Sequence, residues 1–129
     1  MSPFGTRRTD EKPAEKQYTL PETPIGISAN KLLSDGNYVA ILFVEEDEEK
    51  NVKNVQAIEK AIASVSFVRK PIRFFMVRRN DSKEADLTKN LAVSQYPCFV
   101  LISTKGVSGL YYDEIEKEKL LEFMKTTLK

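Results

Sequence analysis

The chain has 129 residues, 41% hydrophobic and 30% charged, with a formal net charge of +1. That length can bury one core without metals or disulfides, and so even a balance leaves no global field to recruit nucleic acid or an anionic membrane. With no histidine and a single cysteine, it lacks the usual near-neutral base and metal ligand and any internal disulfide.

Residues 1–17, "MSPFGTRRTDEKPAEKQ", are polar, proline-punctuated and mixed in charge. They bury too little to offset their ordering entropy, so the chain reads as a flexible tail over 1–17 and one domain over 18–129. No apolar leader stands at the N-terminus, and no apolar run approaches the roughly 18 residues that span a bilayer. The compartment stays open: cytoplasmic if Met1 is the native start, lumenal or periplasmic if a signal or anchor was removed. Pro21 and Pro24 extend irregular backbone to about Ile27. "SANKLLSDG" then reads as a short helix capped by Ser28, docked through Leu32 and Leu33 and ended by Gly36.

"YVAILFV" (Tyr38–Val44) is a continuous apolar run with β-branched members, the pattern of a central strand buried on both faces. "NVKNVQAIEKAIASV" sets Val52, Val55, Ile58, Ile62 and Val65 on one helical stripe. After Pro71, "IRFFMV" reads as a second buried strand, with Phe74 and Phe75 in the core on opposite faces. "NDSKEADLTKNLAV" opens with Asp81 and Glu84 at capping-box spacing and carries Leu87 and Leu91 on one side, a third helix. "CFVLIS", a turn at 104–106 and "VSGLYY" form a hairpin, with one of Tyr111 and Tyr112 exposed. "EIEKEKLLEFMKTTLK" closes the chain as a helix with Leu120, Leu121, Met124 and Leu128 inward, and with Ile115 and Leu120 spaced as a hydrophobic staple. Strands joined by crossover helices and followed by a hairpin make an α/β architecture: a mixed central sheet of about four to five strands with helices on both faces.

That order, with Pro97 opening the hairpin's first strand, resembles the thioredoxin-like superfamily. The resemblance rests on "AVSQYPCFVLISTKG" and on the closing helix "EIEKEKLLEFMKTTL". It implies a cis bond between Tyr96 and Pro97, with the Tyr96 backbone open beside the family's active site to pair with an extended peptide. It also implies a Cys-x-x-Cys pair at the start of the helix after the central strand. Here "EKNV" (Glu49, Lys50, Asn51, Val52) falls at that place, and Phe43 falls where the family carries a buried acid. Dithiol exchange needs an attacking thiolate and a second, resolving thiol. A chain with one cysteine is therefore expected to be redox-inactive and not an enzyme.

In place of the motif stand five consecutive acids, Glu45, Glu46, Asp47, Glu48 and Glu49. Carboxylates suit a helix N-terminus, and the parallel neighbour strand should bring Arg78 and Arg79 to the same edge. No Asp-x-Asp-x-Asp-Gly spacing preorganises a metal site, and no cofactor is implied. Cys98, inside an apolar run, reads as a small buried hydrophobe. The expected function is a non-catalytic binding or scaffold module. Its surface would be Tyr96, Pro97, Glu45 to Glu49, Arg78 and Arg79, and its partner an extended or basic segment of a protein or peptide rather than nucleic acid. The alternatives are a single-thiol protein working through Cys98, or a subunit of a larger complex with a vestigial site. Oligomeric state is not legible.

Overall fold

The structure is a computed structural model that describes residues 18–66 and 68–128; the tail expected over 1–17 lies outside them. Its centre is β1 (Tyr38–Val44), where every residue after Tyr38 is buried. β1 pairs in parallel with β2 (Ile72–Arg78) and antiparallel with β3 (Cys98–Ser103). β3 pairs antiparallel with β4 (Gly106–Tyr111), giving the sheet order β2-β1-β3-β4. Four strands form among the described residues, within the four to five expected.

Strand alternation splits the core in two. Val39, Ile41 and Phe43 point to one face, where Ala29 and Leu33 of α1 (Pro24–Ser34) and Leu87 of α3 (Ala85–Asn90) cover them. Ala40, Leu42 and Val44 point to the other, beneath Ile58 and Ala61 of α2 (Glu48–Ala63) and Leu120 and Met124 of α4 (Lys117–Thr127). Each fully buried Val, Ile, Leu, Phe or Met among them contributes about 1.5–3 kcal/mol of transfer free energy. The layers are therefore helix, sheet, helix, as expected from the strand and helix order.

Several local expectations change. α1 starts at Pro24, not Ser28; Thr23 caps it, its side chain accepting from the Gly26 N–H at 2.9 Å. Proline at the first helical position lacks only an N–H that would be unpaired there anyway, so Pro24 begins the helix rather than prolonging a loop. Gly36, at φ +90°, follows the helix end, and its N–H bonds Leu33 O. Among the described residues β2 is an edge strand, and Phe74 and Phe75 face opposite clusters as expected but are only half-buried.

The capping box at Asp81–Glu84 does not form. Asp81 accepts from Lys83 N, while Glu84 turns inward and accepts from Ile25 N in the first turn of α1. The segment is a 3-10 turn (Ser82–Glu84) leading into the short α3. The staple holds in α4: Glu116 stands at the cap, with Ile115 and Leu120 in the same cluster.

Candidate functional site

β1 and the parallel β2 end at the same edge, with Val44 opposite Arg78. Between β1 and α2 lies the acidic loop. Asp47 caps α2, accepting from Lys50 N at 3.2 Å, and Asn51 reaches back from the first turn to donate to Glu45 O at 3.0 Å. Arg78 places a two-pronged contact on Glu48, at 2.8 and 2.9 Å. Arg79 donates its backbone N–H to Val44 O and its guanidinium to Glu45 Oε2 at 2.7 Å. All four side chains are well exposed, so each pair contributes about 0–1 kcal/mol. Their effect is on charge: two of the five acids are taken up by the chain's own arginines.

Arg79 also joins this loop to the expected groove. Its guanidinium carbon lies 5.1 Å from the centroid of the Tyr96 ring, and the Tyr96-Pro97 bond is cis. Glu45, Arg79 and Tyr96 thus form one contiguous series, with Glu48 and Arg78 beside it. Glu46 and Glu49 remain exposed.

Beside Pro97 runs a groove of about 640 Å³. One wall is Lys50, Lys53 and Asn54 of α2; the other is the segment from Tyr112 to Glu116. The wall provided by α2 is therefore basic, although five acids stand just before it in the chain. Helical geometry is the reason, since residues three and four apart share a face and Lys50, Lys53 and Asn54 have that spacing. Sequence reasoning did not assign Lys50, Lys53 or Asn54 to the binding surface, although the spacing that unites them was legible. Tyr112 is the exposed member of the tyrosine pair, at 39%. Tyr111 packs on Phe123 with centroids 5.1 Å apart and donates its hydroxyl to Glu114 O.

No protein-family model and no curated protein matches this chain. Solved structures do match. A thioredoxin-2, described as a component of malaria parasite protein secretion machinery, is 15% identical over 70% of this chain and 82% of its own, with a TM-score of 0.52. The J-Trx1 fragment of ERdj5 is 18% identical over 86% of this chain and 51% of its own, with a TM-score of 0.56. Trxlp from Edwardsiella tarda EIB202 is 15% identical over 82% and 97%, also at 0.56. The chain has a thioredoxin-like fold. At these identities the likeness is one of fold.

Within that thioredoxin-like framework the first turn of α2 differs in detail from expectation. Val52 is 53% exposed and Asn51 is 3% exposed. The inward position is thus one residue earlier than "EKNV" implied, and Val52 leaves the expected core stripe. Neither register carries sulfur. Cys98 is fully buried, opposite Phe43 across the β1–β3 pair. Burial pushes its thiol pKa up, with hydrogen bonds to Tyr112 and to the Tyr111 backbone acting more weakly the other way. A thiolate is disfavoured there. Among the described residues no group of three His, Cys, Asp or Glu side chains is placed to hold a metal ion, and no helix is long and apolar enough to cross a membrane.

Proposed function

We propose that this thioredoxin-like chain is a binding module that holds an extended segment of a partner protein in the groove beside Pro97, without disulfide exchange. The observation that carries the reading is the contrast at that place. The groove is open and about 640 Å³ in size, and no thiol is among the residues lining it. The chain's one thiol is fully buried.

Recognition of an extended chain by a strand edge needs backbone groups and side-chain pockets, not thiols. The Asp47 cap and the Asn51 bond fix the first turn of α2, which carries Lys50 into the groove wall. Working thiol chemistry through Cys98 is disfavoured by its burial and raised pKa.

The test is site-specific photo-cross-linking in the native host. A photoreactive residue at Asn54 or Tyr112 should give a discrete adduct, and the same residue at the remote, exposed Ser64 should not. Adducts at Ser64 alone, or the same adducts at all three positions, would move the interface away from the groove.

A further inference from the structure

Resting on that reading of the groove, we infer that its occupant is a segment bearing charges of both signs, its acidic side chains toward Lys50 and Lys53 and its basic ones toward Asp113 and Glu116. The walls of the groove are oppositely charged. Lys50 and Lys53 lie on one face of α2, both exposed. Across from them Asp113, Glu114 and Glu116 lie within four residues.

The ion pairs among the described residues are Arg78–Glu48, Arg79–Glu45 and Lys119–Glu114. Lys50, Lys53, Asp113 and Glu116 belong to none of them. Lys119 is the ammonium that pairs with the acidic wall. It bonds Glu114 at 3.2 Å, and its charged form is favoured by Asp113 and Glu116 as well, which leaves that wall in carboxylate excess. Asp47 and Glu49 border the same lysines, but from a separate notch outside the groove.

A purely basic segment, suggested by the run of five acids, would meet the two lysines and be repelled. Those acids are in part neutralised by Arg78 and Arg79. A segment of one sign gains at one wall what it loses at the other; one of mixed sign gains at both. The selectivity is electrostatic and exposed, so it must weaken with salt over a screening length of about 8–10 Å.

The full chain is titrated by fluorescence anisotropy into four labelled extended peptides of equal length: alternating glutamate and lysine, which sets one sign on each side of an extended chain, glutamates only, lysines only, and a neutral serine–threonine version. The mixed peptide should bind tightest, by about tenfold over the neutral one at low salt, and the advantage should shrink in high salt. Lys50→Glu with Lys53→Glu should abolish that preference, as should Asp113→Lys with Glu116→Lys. All four substitutions together exchange the charges of the two walls and should restore it, since the alternating peptide can present either sign to either wall. Circular dichroism checks that each variant is folded.

Two failures are distinguishable. If the neutral peptide binds as tightly as the mixed one and Asn54→Trp, which obstructs the groove, abolishes both, the charge inference falls and the groove stands. If no peptide binds, or if binding ignores Asn54→Trp, both readings fall.

Discussion

Cys98 and Glu84 are polar or reactive groups enclosed by the core, and each has a different physical consequence. For Cys98 the burial raises the folded thiol's pKa, so the native chain keeps a proton that the unfolded chain releases above about pH 8.5. The native state then binds more protons, and stability present below that pH falls as pH rises through the window up to the folded value. The urea midpoint should therefore drop between pH 7 and about 9.5, and drop less in Cys98→Ala. Tyr18 and Tyr111 are pushed up by burial too and act with the same sign at higher pH, so the difference between the two chains is the quantity to measure. Labelling of native protein by a disulfide reagent should be slow until denaturant is added; fast labelling would contradict the burial.

Glu84 is 2% exposed, with Oε2 accepting from Ile25 N at 3.0 Å and Oε1 without a partner. It ties the 3-10 turn to the positive end of α1. Glu84→Ala orphans a buried N–H and should cost about 1–3 kcal/mol in urea denaturation. Glu84→Gln keeps a carbonyl acceptor and should cost less. An alanine variant as stable as the parent would show that the contact carries no weight. The sequence placed Glu84 at capping spacing, a local pattern. Its actual partner is 59 residues away, and no local pattern encodes that.

At the scale of elements, legibility followed the range of the forces. Runs that bury two faces, such as Tyr38–Val44 and Cys98–Ser103, were readable because solvent exclusion alone fixes them. The inward stripe of α4 was readable for the same reason. Edge position was not: "IRFFMV" looks as apolar as a central strand, and only the sheet order places β2 at the edge among the described residues.

The start of α1 was missed because proline has opposite meanings at the first helical position and inside a helix. That turn is also tight in a way composition conceals. A Cβ on Gly26 would stand 1.9 Å from the backbone oxygen of Pro21 and 2.8 Å from Thr23 Oγ1. Helix propensity favours alanine over glycine by about 1 kcal/mol, yet Gly26→Ala should destabilise by about 1–3 kcal/mol, because the opposing atom is main chain and cannot swing away. A stabilised variant in the same denaturation experiment would contradict the close approach.

At the scale of the molecule, the parallel β1–β2 pair and the cis Tyr96-Pro97 turn bring three separated stretches to one end of the sheet. These are the acidic loop, Arg78 with Arg79, and Tyr96. Sequence reasoning assembled this set because the thioredoxin-like topology dictates which strand ends are neighbours. It did not assign charge to the groove itself, because which side of α2 faces Pro97 depends on the rotation of the helix about its axis. That rotation is set by Asn51, Ile58 and Ala61 turning inward. The acids and the lysines therefore do different work: Glu45 and Glu48 bind arginines of the same chain, while Lys50 and Lys53 face outward into the groove.

The most direct measurement is the reduction of insulin disulfides by the purified chain with dithiothreitol as reductant, alongside an active thioredoxin. Precipitation at the rate of dithiothreitol alone is expected, unchanged by Cys98→Ala. Turnover comparable to the active enzyme, lost in that variant, would mean that the buried sulfur does the work and that the groove is a catalytic site rather than a holding one.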